Sequence, residues 1–228
     1  MTTALPLFPL GAVLFPGLVM PLHVFEERYR ALVRDLLAAP DDTAREFGVV
    51  AIRRGWEVAD TAWVTTDVTL YEVGCTAEVR RITEHPDGTY DLVTVGRSRF
   101  EIAQVVPAST PYLQAEIRYL PEQRGPEGDA ERLGPLVLAA FRAYLRGLSR
   151  DRGGAADQLP EDPIVLSHLV AATTVLSLDD RQRLLATPDT AGRLRAELAL
   201  LRREVALLSQ VRAVPVAPSE LPARPGPN

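Results

Sequence analysis

The start of the chain interleaves apolar side chains with prolines, and no other sequence feature constrains the fold as much. Residues 5–22 are apolar or glycine throughout, with prolines at positions 6, 9, 16 and 21. Proline lacks a backbone donor and pushes the preceding residue toward extended geometry, so this segment can be neither one helix nor a central strand. The pattern predicts two short edge strands joined by a Phe-Pro-Gly turn, followed by an amphipathic helix that opens near Glu26.

The rest of the first half has the pattern of a curled antiparallel sheet. An apolar run at residues 47–52 is typical of a buried strand. The sequence His-Pro-Asp-Gly at 85–88 separates two strand-like segments and predicts a hairpin, with a bulge near Arg80 and Arg81 in its first arm. A second turn is predicted at 96–100. Many short strands with regular turns imply a curled sheet or partial barrel.

The apolar periodicity changes from two to helical after a Gly- and Pro-rich stretch at 123–129, which predicts a linker. Proline is tolerated only in the first turn of a helix, so the first helix of this half is predicted to begin near Pro135. Asp162 and Ser177 have the sequence context of helix N-caps. We therefore predict a β-rich subdomain over residues 1–122, a helical one over 127–212, and a disordered Pro-rich tail over 213–228.

All basic residues are arginine, and the absence of lysine excludes two kinds of chemistry. The Lys+Arg total of 25 contains no lysine. A phosphate-binding P-loop needs its lysine to reach the phosphates, and a Ser-Lys dyad needs a lysine whose pKa can be lowered. No serine lies in a G-x-S-x-G motif either. The sequence therefore predicts no catalytic residues.

Potential metal ligands lie in separate predicted elements. His23, His85, His168 and Cys75 show no i,i+3 or i,i+4 spacing, so the sequence predicts neither a metal site nor a cofactor. A single cysteine allows no internal disulfide, which fits a reducing cytosol. No apolar run is long enough to span a membrane and no basic residue precedes the opening segment, so we expect a cytoplasmic protein without a membrane partner.

Charge disfavours nucleic acid as a partner. Residues 1–122 hold 11 arginines and 17 acidic residues, a net charge of −6, and residues 123–212 hold 13 and 12, a net charge of +1. Neither half has the basic excess typical of a nucleic-acid-binding protein. The arginines at 80, 81, 97 and 99 would meet on adjacent strands. Glu78, Glu84 and Glu101 lie beside them, which favours solvated or salt-bridged arginines over RNA contacts.

The opening segment resembles the N-terminal, substrate-binding domain of the Lon protease family, in its L-P-L-F-P-L…V-L-F-P-G…P-L…F-E-x-R-Y form. Segments 73–79 with 96–100, then 111–116 and 162–185, resemble that family in the same order. The resemblance implies an α+β fold, with a PUA-like β pseudo-barrel carrying one helix followed by an α-helical bundle. The chain looks like a free-standing member, since the ATPase and protease modules of full-length Lon proteases are missing.

This resemblance implies a non-catalytic module that recognises unfolded or apolar polypeptide segments, in a quality-control or protease-adaptor role. The implied partners are such segments and a protease or chaperone, and the oligomeric state stays open. RNA binding through the PUA-like fold is the alternative, and a hydrolase with a discontinuous site is a third. The candidate peptide-binding residues lie in the apolar opening: Leu14, Phe15, Pro16, Met20, Pro21 and Leu22. Phenylalanines at that density more often fill a core.

Overall fold

The computed structural model describes residues 3–40, 44–54, 69–107, 109–148 and 159–213. Within these ranges the strands are β1 (Thr3–Leu10), β2 (Val19–Val24), β3 (Glu46–Arg54), β4 (Thr69–Leu70), β5 (Val73–Glu84), β6 (Tyr90–Val106) and β7 (Gln114–Leu120). The helices are α1 (Glu27–Ala38), α2 (Asp129–Leu148), α3 (Pro163–Thr173), α4 (Leu178–Ala186) and α5 (Thr190–Ala213). The α+β class is confirmed. The predicted tail beyond residue 213 lies outside the described residues.

Five strands close into a ring in the order β1-β7-β6-β5-β3 and back to β1. The first half of β1 pairs antiparallel with β7, and its second half pairs in parallel with β3. The prediction that β1 is an edge strand is therefore wrong. Alternate residues of a strand direct their N–H groups to opposite sides, and Leu7 donates toward β7. The missing donors of Pro6 and Pro9 therefore face the side on which β1 has no partner strand at that point, so the strand can hold both prolines. By contrast β2 pairs only with β6 among the described strands.

Bulges, rather than a turn, shape the middle of β6. This strand continues from Tyr90 to Val106, so the turn predicted at 96–100 is wrong. Cys75 of β5 pairs with Arg99, while Ala77 pairs with Gly96, so residues 97 and 98 of β6 together oppose Thr76 and β6 holds one extra residue. An extra residue bends a strand without ending it. The predicted bulge near residues 80–81 is confirmed by a register shift in β5, and the hairpin at 85–88 is confirmed between β5 and β6.

Helix starts follow the predicted caps, with one correction. Asp162 accepts hydrogen bonds from the first backbone N–H groups of α3, and Ser177 accepts one from α4, as predicted. The prediction that the first helix of this half begins at Pro135 is wrong, since α2 begins at Asp129. Pro135 and Glu131, whose carbonyl loses its donor, both lie on the exposed side of α2. Water can therefore replace the missing hydrogen bond.

Helices α3 and α4 pack on the ring through a shared core. Val13 and Phe15, before β2, are buried with Ala171 of α3 and with Leu184 and Leu185 of α4. The predicted division into subdomains at residue 122 stays a prediction. No helix in the described part of the chain is long and apolar enough to cross a membrane.

Candidate functional site

A cleft of about 550 Å³ opens where the ring meets the start of α3. Four segments line it: Pro16 and Gly17 before β2, Arg97 to Arg99 at the bulge of β6, Tyr119 to Glu122 at and beyond the end of β7, and Ile164, Val165 and His168 of α3. Most of the residues in the wall of the cleft are apolar, whereas its floor is charged. The site therefore combines an apolar wall with a charged floor.

Backbone contacts with β6 fix the loop of residues 15–18, which forms part of the wall of the cleft. Gly17 donates a hydrogen bond to the carbonyl of Gly96 at 2.8 Å, and Gly96 donates to the carbonyl of Leu18 at 2.9 Å. A side chain at Gly96 would collide with the carbonyl oxygen of Phe15. Gly17 has a φ of 79°, a conformation that glycine adopts without strain. The loop therefore lies directly against β6, immediately beside the bulge.

Glu122 is the centre of the charged floor. Its carboxylate accepts hydrogen bonds from Arg99 Nε at 3.2 Å, from Thr190 Oγ1 at 2.9 Å and from an Nη atom of Arg193. His168 Nε2 lies 3.5 Å from the same carboxylate. These residues come from β6, α3 and α5, so Glu122 joins the ring to two helices through one side chain.

Arg99 adds a second link between the ring and the helices. Its Nη1 donates to the carbonyls of Leu185 at 2.9 Å and Thr187 at 2.6 Å, and its Nη2 donates to that of Pro188 at 3.1 Å. These carbonyls lie at the end of α4 and in the connection to α5. Carbonyls at a helix end lack partners within the helix and attract positive charge. Arg99 therefore holds this connection against β6.

The environment sets the protonation of the network. Burial alone would raise the pKa of Glu122, but the hydrogen bond from His168 and the charge of Arg193 outweigh burial and lower this pKa to about 2. Burial and the charges of Arg193 and Arg99 lower the pKa of His168, against the opposing hydrogen bond to Glu122. The imidazole is therefore neutral at neutral pH. Two arginines against one carboxylate leave the floor with a net positive charge.

The structure separates the six candidate peptide-binding residues. Leu14 and Phe15 are 3% and 0% exposed, so their placement on a binding surface is corrected: they fill the core. Burial alternates along β2, where Met20 and Leu22 point inward against the core and Pro21 points outward. Of the six residues, Pro16 lines the cleft. Sequence reasoning missed the other apolar wall residues, which lie at and just beyond the end of β7 and in the first turn of α3.

The four arginines considered for RNA do not form a free basic patch. Arg80 and Arg97 both pair with Glu78, at 3.0 and 2.8 Å. Arg99 is buried beneath the cleft. The preference for salt bridges is confirmed at these three positions.

Two of the three histidines meet although the sequence predicted no metal site. His23 Nδ1 lies 2.7 Å from one carboxylate oxygen of Asp91, and His85 Nε2 lies 2.8 Å from the other. His168 is distant from them in the fold, in the floor of the cleft. Cys75 is fully buried, and burial raises the pKa of its thiol to about 12, which makes it a poor ligand.

Most of the chain is similar in sequence to the same part of Lon proteases. The Lon protease 2 of Myxococcus xanthus is 31% identical over 209 residues, which is 90% of this chain and 24% of that protein. The Lon protease of Anaeromyxobacter dehalogenans is 32% identical over 215 residues, again 90% of this chain and 24% of that protein. The chain therefore spans about a quarter of the length of these relatives.

Two solved structures of Lon N-terminal domains have a similar fold. A Lon N-terminal domain protein from Xanthomonas campestris matches with a TM-score of 0.59 and 25% identity, over 86% of this chain and 98% of that one. The N-terminal domain of a Mycobacterium avium complex Lon protease has a TM-score of 0.66 at 18% identity, over 90% and 98%, and shows the shared fold. A family model described as the ATP-dependent protease La (LON) substrate-binding domain matches residues 4–203, and the chain belongs to that family.

Proposed function

We propose that this chain is a non-catalytic module that binds unfolded or apolar polypeptide segments in the cleft between the ring and α3. The observation that carries the proposal is the apolar wall of the cleft: Pro16, Tyr119, Leu120, Pro121, Ile164 and Val165. Tyr119 and Val165 are exposed although both are large and hydrophobic. Clustered exposed apolar side chains mark interaction surfaces. The family's description as a substrate-binding domain supports the same kind of ligand.

The backbone of β6 gives an extended peptide a second means of attachment. On one side of β6, β2 pairs with residues 90–95 and β7 pairs with residues 99–106. Residues 97–98 thus have no strand partner on that side among the described strands, and they line the cleft, although the N–H of Ser98 already donates to Thr76 Oγ1. An extended peptide can use main-chain hydrogen bonds for affinity and apolar pockets for loose specificity. We expect an affinity that is roughly micromolar, as for a tolerant, non-obligate binder.

Val165→Asp tests the cleft. Val165 is 53% exposed at the rim, and a carboxylate there would have to be desolvated beneath an apolar peptide. We expect binding of an unfolded model peptide, measured by fluorescence titration, to weaken at least about tenfold. The substitution is compatible with folding, because Val165 lies in the first turn of α3 and negative charge is favourable near a helix N-terminus.

Val175→Asp is the matched control, since Val175 is 70% exposed and is not part of the cleft. This variant should bind the peptide as the wild type does. Equal binding by wild type and Val165→Asp, with both folded by circular dichroism, would place the peptide elsewhere. Equal weakening by both variants would show that general surface charge, and not the cleft, determines binding.

Absence of catalysis is the second part of the proposal. It is supported by the lack of lysine in the sequence, which excludes a P-loop and a Ser-Lys dyad from these residues. We expect neither ATP hydrolysis nor cleavage of a casein-like unfolded substrate by the purified chain. ATP turnover that co-purifies with the protein and is abolished by a single substitution in it would overturn this expectation.

The wider role that we propose is protein quality control in the cytoplasm, or service as an adaptor for a protease there. A binding module of this kind would hold a captive segment for a protease or chaperone that acts on it. The PUA-like pseudo-barrel and the helical bundle would then provide the two walls of the cleft. Capture from the native host, with and without a competing apolar peptide, tests the role: a protease or chaperone should be retained on the chain, and the competing peptide should release the captured substrates.

A further inference from the structure

Two imidazoles and one carboxylate converge at the end of the ring that carries the 85–88 hairpin. His23 belongs to β2, Asp91 to β6, and His85 to the turn that joins β5 and β6. The two imidazole rings are 6.2 Å apart between centroids. One potential ligand atom from each of the three residues lies within 4.8 Å of the others. This group lies outside the lining of the cleft, and the proposed peptide binding does not use it.

The backbone, rather than chance rotamers, brings these three residues together. His23 and Asp91 are directly opposed in the β2–β6 register, so their side chains leave the same face of the sheet. His85 is fixed by the hairpin, where its N–H donates to the carbonyl of Thr89 at 2.9 Å and its carbonyl accepts from Gly88 at 2.9 Å. Because the backbone already holds these three residues in place, only side-chain rotations are needed for them to bind a ligand together.

The present arrangement resembles a metal site in which protons stand where the metal ion would be. Asp91 accepts a hydrogen bond from each imidazole, at 2.7 and 2.8 Å. In a tetrahedral zinc site the ligand atoms lie about 3.3 Å apart, because each is about 2.0 Å from the ion. The three ligand atoms are now no more than 4.8 Å apart. Side-chain rotations that move each of them by about an ångström would bring them to the spacing of a zinc site. The side chains are exposed enough for an ion to enter directly from solvent.

We propose that His23, His85 and Asp91 form a binding site for a divalent first-row transition ion, with Zn²⁺ as the representative ligand. Two imidazole nitrogens and one carboxylate oxygen suit zinc, nickel or copper rather than magnesium or calcium, which prefer all-oxygen sites. Three protein ligands leave the fourth tetrahedral position open to water. The bound ion would connect β2, which pairs only with β6 among the described strands, to the hairpin.

The test uses the full chain and Zn²⁺ alone, titrated in competition with a chromophoric zinc indicator. Wild type should bind one saturable equivalent. His23→Gln, His85→Gln and Asp91→Asn should each weaken binding at least about tenfold, since even indirect partners of metal ligands have effects of that size. Glu84→Gln is the matched control: it removes an exposed carboxylate from the same hairpin without removing a proposed ligand, and it should bind as wild type does.

A second measurement identifies the ligands directly. Paramagnetic Ni²⁺ should broaden the imidazole proton resonances of His23 and His85 and leave those of the buried His168 unchanged. Zinc binding that survives in all three ligand variants, or broadening of His168 alone, would overturn the proposal. So would the lack of saturable binding by wild type. Equal losses in Glu84→Gln and the ligand variants would show diffuse attraction to surface charge, and would also overturn it.

Discussion

Replacing Glu122 with alanine is expected to lower the free energy of unfolding by about 3–5 kcal/mol, the range for breaking a buried ion pair by removal of one partner. Glu122 is the carboxylate that faces both Arg99 and Arg193, whose guanidinium groups are almost completely buried. Without it, two buried positive charges would lose the carboxylate that both of them contact. Urea unfolding followed by circular dichroism measures the loss.

Glu116→Ala is the control for this prediction, because Glu116 lies on the exposed face of neighbouring β7. That substitution should change stability by no more than about 0.5 kcal/mol, as is usual for surface positions. If Glu122→Ala were no more destabilising than Glu116→Ala, the carboxylate would not be the element that neutralises the two arginines. The same result would remove the electrostatic link between ring and helices.

The pH dependence of stability gives an independent measure of Glu122. Its pKa is about 2 in the folded chain and near its ordinary value of 4.5 when unfolded. The unfolded state therefore binds a proton first as the pH falls, and the stabilisation, fully present above pH 4.5, is lost as the pH drops toward 2. We expect the Glu122→Ala variant to lose less stability than wild type across this acid range.

Replacing Glu197 with methionine is expected to stabilise the protein at neutral pH by about 1–3 kcal/mol, the usual cost of a buried polar group without a partner. Glu197 is 1% exposed on α5. Neither of its carboxylate oxygens has a hydrogen-bond partner among the described residues. Methionine has a similar length and fills the same space without a polar group. Thermal unfolding at constant pH measures the gain.

The sign of the pH effect distinguishes Glu197 from Glu122. Burial raises the pKa of Glu197 well above its ordinary value of 4.5, although the charge of Arg193 opposes the rise. The unfolded state therefore releases the proton first, and stability falls as the pH rises above 4.5. Glu197→Gln should abolish this part of the pH dependence while it retains a polar group. A Glu197→Gln variant with an unchanged pH profile would contradict a raised pKa for Glu197.

Local sequence signals predicted the elements that depend on neighbouring residues. The hairpin at 85–88 and the caps at Asp162 and Ser177 are made by residues a few positions apart, so their chemistry can be read directly. Ring closure could not be read in this way. Proline is normally confined to edge strands, so the prolines of β1 indicated an edge strand. This rule assumes that a central strand has a neighbouring strand on each side along its whole length. The change of partner midway, which removes that requirement, depends on strands far along the chain.

The candidate site was only partly predictable for the same reason. Composition identified the opening segment as apolar but could not divide core from surface, so Phe15 and Pro16, adjacent in sequence, have opposite positions in the structure. The wall contributed by α3 has ordinary helix sequence, and only its position against the ring makes it part of a cleft. Likewise His23 and His85 have no motif spacing, and strand register alone brings them to Asp91.

The divided pairing of β1 also sets an order of events during biosynthesis. Thr3 pairs with Ile117, whereas Phe8 pairs with Val49. A chain emerging from the ribosome can therefore form the parallel half of this pairing early, but cannot complete the other half until β7 has been made. Until then one edge of an apolar strand stays available to other chains, and such late, long-range closure is slow and exposed to aggregation. β1, which is made before the other six described strands, is thus among the last of them to be protected.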